Sequence, residues 1–315
     1  MIDLCIIIVH FNTPELLNKC LLSLKEIDVE NYKVVIVDNN SYDTDLQVFK
    51  KLFPTYHFIL LERNYGFSYA NNYAIRLFNA RNYLLLNPDT ELIDKRLSKV
   101  LLRLEMNDVG ILGCNLLNPD YTNQPSTCSF PNNFSLFINF SGIKYFKNTW
   151  FFKQIRPLFY LIDKSRFERQ SPIFNKEKFV DVVWGAFFLV KKDVFDKIGL
   201  LDEEFFLGGE ENEFCYRAKL NNIKTLYFPG YSIIHHFNAS VKKNRILSLN
   251  AQLEGFIHYY KKHFSKKRLR NMITVLKFAF RIRIVLIKLN LLEKYLAKNE
   301  GLEYFQVIKK ILKDH

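Results

Sequence analysis

Carboxylates and amides follow several apolar runs of this sequence, and such residue types can bind a metal ion or a phosphate. The apolar residues 83–86 lead directly into Asn87, Pro88 and Asp89. An uninterrupted apolar run that ends at a proline is typical of a buried strand in a parallel sheet. Because open α/β sheets bind ligands at the carboxyl ends of such strands, Asp89 is predicted to be a metal or phosphate ligand. The alternative is an ordinary Asn-Pro-Asp turn at a strand end.

Two adjacent carboxylates, Glu210 and Glu211, follow a pair of glycines late in the chain. The glycines predict a flexible loop that opens a helix over residues 211–220. The helix dipole favours acidic residues in a first turn, and this is an alternative explanation for the cluster. Glu213 and Arg217 are four residues apart and are predicted to form an ion pair. No such local partner is expected for Glu210 and Glu211.

Gly185 and the two adjacent histidines 235 and 236 are the remaining candidate site residues. Gly185 lies in a strand predicted over residues 180–190, where it marks either a bulge or a close approach of the backbone to a ligand. His235 and His236 end the last predicted strand region. A histidine at a strand end is either a ligand or a structural residue whose hydrogen bonds are satisfied.

The elements that must position these side chains alternate between strands and helices. Strands are predicted over residues 4–10, 34–38, 58–61 and 83–86, with helices that begin near Pro14 and Ser68. The order strand, helix, strand, strand, helix, strand is typical of a mononucleotide-binding α/β unit. The glycine-rich fingerprints of P-loop and dinucleotide-binding proteins are missing from the sequence. A nucleotide is therefore expected to be held by carboxylates, amides and a metal ion.

The middle of the chain is less regular. Residues 119–179 are rich in Asn, Ser, Phe and Lys and are predicted to form loops and short helices that contribute to an acceptor site. The remaining predictions are a helix over 94–106, a short strand over 111–113, a helix over 192–198 and a strand region over 227–236.

The composition is that of a folded protein. Of 315 residues, 49% are hydrophobic and 16% are aromatic, which predicts a sizeable core and excludes a disordered chain. Five cysteines show no metal-ligand spacing, and an odd number without a pattern is typical of thiols in a reducing cytosol. The first residues already read as a strand, so we expect no secretion signal.

The net charge of +13 is concentrated near the C-terminus, where residues 264–298 carry +9. Apolar residues recur there at helical spacing, namely Leu269, Ile273, Leu276, Phe280, Ile284, Ile287 and Leu291, between Arg270, Lys277, Arg281, Arg283 and Lys288. The pattern predicts a basic amphipathic helix that lies on an anionic membrane surface, because no uncharged run approaches the roughly 20 residues that span a bilayer. The alternatives are a helix packed on the rest of the protein with solvated lysines, and nucleic-acid binding, for which no recognition module is present.

Seven segments together resemble the family 2 glycosyltransferases, and in particular their bacterial rhamnosyltransferase-like branch. They occur in the family's order and at comparable spacing, over residues 9–12, 37–41, 64–67 with 71–72, 86–89, 184–186, 209–213 and at His235. The resemblance implies an α/β fold of the GT-A type, which is Rossmann-like, followed by the C-terminal basic helical tail. It also implies a nucleoside-diphosphate-sugar donor, Mg²⁺ or Mn²⁺ as the cofactor, and inversion at the anomeric carbon.

The resemblance also implies roles for individual residues. Glu211 falls at the catalytic base, with Glu210 as the next candidate. Asp89 falls on the last aspartate of the metal-binding motif, and His235 is a second metal candidate. Trp184 and Gly185 are implied to bind the acceptor. The implied donor-binding residues are His10, Asn12, Asp38, Asn40, Ser41, Asn64, Gly66, Asn71 and Asn87, with Asp38 at the nucleotide base.

Three positions depart from the family pattern. Asn87 replaces the first acid of the metal-binding motif, a departure common in this branch. Glu211 and Glu213 stand where the family usually has aspartates. A glutamate reaches one methylene further, but the type of group that can accept a proton is kept.

We therefore expect an inverting, metal-dependent hexosyltransferase of bacterial surface-polysaccharide (O-antigen or capsule) synthesis. The donor is expected to be a dTDP- or UDP-sugar, with dTDP-rhamnose as one candidate, and the acceptor a lipid-linked saccharide. The protein is expected in the cytoplasm, peripherally on the inner face of the cell membrane. The alternatives are a catalytically silent sugar-nucleotide-binding protein and a basic membrane-binding module.

The predicted division has three parts. Residues 1–118 form the nucleotide-sugar-binding half of the GT-A domain and residues 119–260 form the acceptor-binding half. Residues 261–315 form the basic tail.

Overall fold

The computed structural model describes residues 1–106, 109–146, 175–236, 245–289 and 291. In chain order, the elements of the first part are β1 (Ile2–His10), α1 (Pro14–Ser23), β2 (Tyr32–Asp38), α2 (Leu46–Leu52), β3 (His57–Leu60), α3 (Phe67–Leu77), β4 (Ala80–Leu86), β5 (Thr90–Leu92), α4 (Ser98–Glu105), β6 (Val109–Leu117), β7 (Thr127–Cys128) and α5 (Asn133–Phe140), followed by a 3₁₀ turn at Ile143–Phe146. The later elements are β8 (Lys178–Val180), β9 (Val182–Val183), β10 (Phe187–Lys191), α6 (Lys192–Ile198), α7 (Glu210–Leu220), β11 (Lys224–His235), α8 (Arg245–His263) and α9 (Lys266–Lys288).

The described residues fall into two compact units. The first draws on residues 1–128 and 171–243, and the second on residues 129–170 and 244–315. Each unit is therefore discontinuous in sequence. The functional halves expected from the sequence, with boundaries at residues 118 and 260, stay a prediction.

One mixed sheet dominates the first unit. Among the described strands, nine belong to it, in the order β3-β2-β1-β4-β10-β6-β11-β5, with β8 paired to β11. Strands β1 to β4 are parallel, β10 is antiparallel to β4 and β6, and β11 is parallel to β6. The carboxyl ends of β1, β2, β3, β4, β6 and β11 therefore lie along one edge of the sheet. His10 and Asp38 are neighbours in register at this edge.

Apolar runs form the centre of the sheet, as the sequence predicted. Residues 4–9 of β1 and 34–37 of β2 are all buried. On one face α1 covers them with Leu17, Cys20 and Leu21, and Pro14 opens this helix in its first turn. The α/β prediction is confirmed, and the buried strands fix the positions of the loops that follow them.

Several boundaries differ from the predictions. The helix α2 lies between β2 and β3, where the sequence predicted a direct connection; it has seven residues and buries only Phe49, which is too short for a clear helical period. The strand predicted over residues 180–190 is divided into β8, β9 and β10, with a turn around Gly185. Strand β11 continues through Pro229, and a register shift between Phe228 and Ser232 accommodates this proline.

The second unit is helical in its described part. Asn132 and Ser135 form a reciprocal capping box at the start of α5. The packing of α5 against α9 includes Phe137 beside Phe278, with ring centroids 5.9 Å apart, and Phe140 beside Phe280, at 5.5 Å. In the described part of the chain, no helix is sufficiently long and apolar to cross a membrane.

The predicted amphipathic helix is present as α9, with one correction. Arg283 was expected among the basic residues of a membrane-facing helix, but it is buried and its guanidinium donates to the carbonyl of Phe140. Residues 290 and 292–315 of the predicted tail lie outside the described residues.

Candidate active site

The ends of β1 and β2 form the first corner of the site. Asp38 is buried, and its Oδ1 accepts a hydrogen bond of 2.6 Å from the backbone N–H of Ser41. Its Oδ2 has no hydrogen-bond partner among the described residues and lies 3.8 Å from Nε2 of His10. A buried carboxylate oxygen without a partner is uncommon in proteins and is suited to receive a donor group from a ligand.

His10 lies behind Asp38. It is fully buried, and its ring nitrogens are within hydrogen-bond distance of the hydroxyls of Thr13 and Thr44, at 3.3 and 2.8 Å. Burial lowers the pKa of His10, and the charges of Asp38 and Asp43 only partly oppose this shift. Its lowered pKa favours a neutral imidazole, which adds no positive charge beside Asp38.

The loops after β1 and β2 are joined by polar side chains. Asn12 has a left-handed φ of 53°, donates its backbone N–H to Oγ of Ser41 at 3.0 Å and accepts the N–H of Tyr42 at 3.0 Å. Asn40 is also left-handed, with φ 65°, and is exposed. Of the predicted donor-binding residues, Asn12 and Ser41 thus contact each other.

Asn39, which was not singled out from the sequence, connects this corner to the loop before α3. It is buried, accepts from the N–H of Tyr65 at 3.3 Å and donates to the carbonyl of Gly66 at 3.1 Å. Asn64 accepts the N–H of Gly66 at 3.0 Å and so shapes the same loop. Gly66 has φ 89°, and a Cβ there would lie 2.6 Å from the carbonyl oxygen of Phe206.

The first turns of α3 contain two buried polar atoms without partners. Oγ of Ser68 and Oδ1 of Asn71 make no hydrogen bond within the described residues, and both side chains are fully buried. The amide nitrogen of Asn71 donates to the carbonyl of Phe67 at 2.9 Å. Like Oδ2 of Asp38, these atoms belong to loops or helix starts that follow the parallel strands.

Asp89, in the turn after β4, and His235, at the end of β11, lie close together although they are 146 positions apart in the chain. Oδ1 of Asp89 lies 3.4 Å from Nε2 of His235, and both residues are buried. Nδ1 of His235 is 3.0 Å from Oε1 of Gln124. The amide nitrogen of Gln124 donates to the carbonyls of Leu117 and His235, so its oxygen faces the imidazole.

This orientation selects one of the two tautomers of a neutral His235. Because Oε1 of Gln124 can only accept, Nδ1 of His235 carries a proton and donates it. In the neutral imidazole, Nε2 then presents a lone pair to the carboxylate of Asp89, and two lone pairs at this distance require a proton or a cation between them. A ring nitrogen held in this way by an outer hydrogen bond is the usual arrangement of a metal-binding histidine. The pair Asp89 and His235 therefore fits a divalent cation.

No three His, Cys, Asp or Glu side chains of the described segments come together as a metal site. Two protein ligands leave most of the coordination sphere to water and substrate oxygens, which is the usual state of Mg²⁺ in sites that bind nucleotide phosphates. His236 is not part of this pair: its Nε2 lies 2.5 Å from Oε1 of Glu91.

The turn of residues 184–186 joins the turn that contains Asn87 and Asp89 to the first turn of the helix that contains Glu211. The carbonyl of Ala186 accepts the N–H of Asn87 at 3.2 Å, and the N–H of Gly185 donates to Oε1 of Glu211 at 3.0 Å. A Cβ at residue 185 would collide with the Glu211 carboxylate. The close approach at Gly185 is thus made by a protein carboxylate. Trp184 is half-buried and packs against the core.

Helix α7 begins at Glu210, one residue before the predicted start, after two left-handed glycines at 208 and 209. Oε2 of Glu210 is buried without a hydrogen-bond partner in the described structure. Burial, and then the charge of Glu211, raise the pKa of Glu210 well above its ordinary value. Burial also raises the pKa of Glu211, against the opposing effect of backbone N–H groups that include Gly185. Both acids are therefore poised to hold protons more strongly than an exposed glutamate.

The ion pair predicted on α7 is confirmed. Nε of Arg217 donates to both carboxylate oxygens of Glu213 at 2.9 Å, and Glu213 is fully buried. The guanidinium also donates to the carbonyls of Ile198 and Leu200. Glu213 therefore has a structural role, since it holds the arginine that fixes the start of the loop between α6 and α7.

The structure thus brings the predicted residues together along one sheet edge. His10, Asn12, Asp38 and Ser41 form one corner, and Asn64 and Gly66 adjoin it through Asn39. Asp89 and His235 form the candidate cation-binding pair. Asn87, Gly185 and Glu211 are linked through the 184–186 turn. The sequence did not identify Gln124 and Asn39 as site residues. Asn39 lies within residues 37–41, one of the segments that resemble the glycosyltransferase family. Nothing in the sequence around Gln124 marks it as a site residue.

This architecture is that of a GT-A glycosyltransferase. It resembles the mannosyltransferase PcManGT from Pyrobaculum calidifontis, solved in complex with GDP-Man and Mn²⁺, with a TM-score of 0.57, 12% identity and coverage of 97% of this chain and 80% of that one.

Sequence comparison defines the family. Residues 5–199 match glycosyl transferase family 2, so the chain belongs to this family of glycosyltransferases, and it is of the rhamnosyltransferase-like type. The low-salt glycan biosynthesis hexosyltransferase Agl10 of Haloferax volcanii is 28% identical over 238 residues, which cover 74% of this chain and 67% of that protein. The dTDP-rhamnosyl transferase RfbF of Shigella flexneri is 24% identical over 278 residues, with coverage of 86% and 79%.

Proposed function

We propose that this glycosyltransferase moves a sugar from a nucleoside diphosphate to a saccharide acceptor, with inversion and with the help of a divalent cation. The observation that carries the proposal is the placement of four residues along one sheet edge: Asp38 ends β2, Asp89 lies in the turn after β4, His235 ends β11 and Glu211 lies in the first turn of α7. A donor molecule has a base, a diphosphate and a reacting sugar carbon, and Asp38, the Asp89–His235 pair and Glu211 each suit one of these parts.

Asp38 would accept a hydrogen bond from the nucleotide base. Its Oδ2 is buried and without a described partner, and an N–H donor of the base would satisfy it. A dTDP- or UDP-sugar offers such a donor in its pyrimidine ring. The similarity to a dTDP-rhamnosyl transferase favours dTDP-rhamnose among the donors to be tried first.

Asp89 and His235 would hold Mg²⁺ or Mn²⁺ against the diphosphate. A bound cation of this kind neutralises the charge that develops on a leaving diphosphate. On the protein side, Gln124 keeps the ring of His235 in the tautomer that offers Nε2.

Glu211 would act as the general base. It removes the proton of an acceptor hydroxyl while the hydroxyl oxygen forms a bond to the anomeric carbon from the face opposite the diphosphate. The bond between that carbon and the diphosphate oxygen breaks, and the diphosphate leaves with the bonding electrons. The raised pKa of Glu211 makes it a stronger base than an exposed glutamate, and the hydrogen bond from Gly185 fixes one of its oxygens.

Titration and turnover assays on the full chain test this proposal. Nucleoside diphosphates and their sugars should bind more tightly with Mn²⁺ or Mg²⁺ than with a chelator, and the matching sugar donor should be consumed in the presence of the cation. Binding without any turnover would instead favour a catalytically silent sugar-nucleotide-binding protein. Absence of nucleotide binding would overturn the proposal.

We further propose that the enzyme works on the cytoplasmic face of the cell membrane, on a lipid-linked acceptor. The solvent face of α9 carries Arg270, Arg281 and Lys288, and between them Phe278 and Val285 are 56% and 53% exposed. Basic and large apolar side chains on one helix face suit an anionic lipid surface. The buried residues of α9, among them Phe280, pack on α5, and Phe278 lies at the border of this contact. Removing α9 would therefore uncover apolar surface, and surface substitutions are the better test.

Reversal of Arg270, Arg281 and Lys288 to glutamate should release the protein from anionic vesicles. Each basic residue near such a surface contributes about 1 kcal/mol, so the loss of three should weaken binding about 100-fold or more at low salt. Vesicle flotation measures this, with reversal of the exposed Lys50 and Lys51 on α2 as the matched control. Equal flotation of both variants would contradict the assignment of α9.

A further inference from the structure

The loop of residues 199–209, which joins α6 to α7, determines where Glu210 and Glu211 lie. It has little regular structure of its own: among its internal contacts are hydrogen bonds from the N–H groups of Glu204 and Phe205 to Asp202. It ends in two glycines with φ values of 83° and 106°. The position of this loop must therefore be set by contacts with other elements.

Helix α3 supplies several of these contacts, and Asn72 makes the most extensive one. The side-chain amide of Asn72 donates to the carbonyl of Leu201 at 2.8 Å and accepts the N–H of Leu201 at 3.1 Å. It also donates to Oε1 of Glu203 at 2.9 Å. Asn72 is fully buried, so these hydrogen bonds are shielded from water.

Only a primary amide can make this set of contacts. It pairs with the backbone N–H and C=O of Leu201, as a neighbouring β-strand would, and it also donates to the carboxylate of Glu203. An aspartate at residue 72 has no donor and an alanine has neither group. The loss of the amide would leave the buried N–H and C=O of Leu201 without these partners, which is costly in a buried environment.

Two further contacts lie on either side of Asn72 along α3. Phe67 donates its backbone N–H to the carbonyl of Phe206 at 2.8 Å, and Arg76 donates to Oε1 of Glu203 at 2.8 Å. The Arg76–Glu203 pair is exposed on the arginine side, so water screens it and it holds the loop less firmly than the buried amide.

The same helix begins at the proposed donor pocket. Asn71, the neighbour of Asn72, keeps its buried Oδ1 without a partner in the described chain, and Gly66 packs directly on Phe206. Helix α3 therefore connects the loop that lines the proposed donor pocket to the loop that precedes Glu210 and Glu211.

We propose that Asn72 is a positioning residue for the general base. It fixes the position of the α6–α7 loop and thereby the position of Glu211 relative to the reacting carbon. This inference rests on the proposed role of Glu211. It assigns to Asn72 no contact with substrate, and its effect should appear in the chemical step rather than in donor binding.

Asn72→Ala in the full chain should lower kcat about 10–100-fold, while the dissociation constant of the nucleoside diphosphate with Mn²⁺ stays within about threefold of the parent. The acid limb of the pH–kcat profile should also move, because the surroundings of Glu211 change. Asn72→Asp keeps an acceptor for the N–H of Leu201 but sets a buried carboxylate against the carbonyl of Leu201 and the carboxylate of Glu203. Its kcat should therefore fall at least as far as that of Asn72→Ala.

Asn82→Ala is the matched control. Asn82 is also a buried asparagine, its amide donates to the carbonyl of Asp3 at 3.2 Å, and it lies near the amino end of β4, at the opposite edge of the sheet. This variant should lose thermal stability but keep kcat and the pH profile.

The arms of the experiment separate the possible failures. If Glu211→Gln remains active, the proposed base is wrong whatever Asn72 does. If Glu211→Gln is inactive while Asn72→Ala keeps the parental kcat and pH profile, the positioning role is overturned. It is also overturned if both Asn72 variants unfold while Asn82→Ala folds, because Asn72 is then a residue of the fold alone.

Discussion

The surroundings of Asp89 and those of Glu210 and Glu211 differ in their electrostatics, although the 184–186 turn links the two regions. Asp89 faces an imidazole nitrogen whose ring is held by Gln124. Glu210 has a buried oxygen without a described partner, and the next acid in the chain is another glutamate. The proposed function assigns a cation to the first region and the transfer of a proton to the second.

The difference suits the two tasks that the proposed function assigns to carboxylates. A carboxylate oxygen and an imidazole lone pair that face each other are two ligands that a divalent cation can join. Burial beside a like charge favours the protonated acid and raises its pKa toward the range in which a general base works. Variants that remove one property and keep the other test this separation.

The largest effect is expected for Glu211→Gln, which keeps the size and hydrogen bonding of the side chain but cannot accept a proton. Because a general base typically contributes about 10²–10⁴ in rate, kcat should fall by that factor while donor affinity is kept. Steady-state turnover and nucleotide titration measure the two quantities. Glu204→Gln, an exposed acid of the same loop, is the control. A kcat within about tenfold of the parent would reassign the base, and Glu210 would be the next candidate.

A smaller effect is expected on the cation side from Gln124→Ala. Without the amide, the ring of His235 loses the partner that fixes its tautomer, and loss of such an outer partner typically lowers metal affinity about 10–100-fold. The Mn²⁺ dependence of nucleoside diphosphate binding measures this. Asn123→Ala, at the exposed neighbouring position, should leave it unchanged. If Gln124→Ala also leaves it unchanged, His235 is not a metal ligand.

The smallest effect concerns stability. The pKa of Glu210 is raised in the folded state, whereas in the unfolded state it has the ordinary glutamate value of about 4.3. Between these two pKa values, the folded state binds more protons than the unfolded state. Stability should therefore fall as the pH rises through this window. Glu210→Gln cannot ionise, so its melting temperature should exceed that of the parent at pH 8, by about 2–4 °C per kcal/mol, and the difference should vanish near pH 4. Thermal melts at both pH values measure this, and a pH-independent difference would contradict it.

Much of the fold could be predicted from local patterns. Strands β1, β2 and β4 are buried on both faces, and their continuous apolar runs are visible in the sequence. The pairing of Glu213 with Arg217 follows from helical spacing, and the position of Asp89 at a strand exit follows from the proline beside it. These features depend on neighbours within a few residues.

The remaining features depend on contacts between distant residues. Asn72 and Leu201 are 129 positions apart, and Gln124 reaches His235 from a segment without periodicity. The break in residues 180–190 arises because Gly185 must approach Glu211, and no local signal shows that contact. The seven residues of α2 are too few for their spacing to reveal a helix.

The burial of the cysteines has a practical consequence for labelling chemistry. Burial raises the pKa of Cys5 and Cys20 to about 12, and that of Cys114 and Cys215 is also raised. Since the thiolate is the reacting form, maleimide reagents should modify these four slowly. Cys128 is the half-buried one, and its Sγ lies 3.8 Å from Oδ1 of Asn212, the residue after Glu211. A single fluorophore at Cys128 would therefore report movements at the start of α7 without prior removal of the other cysteines.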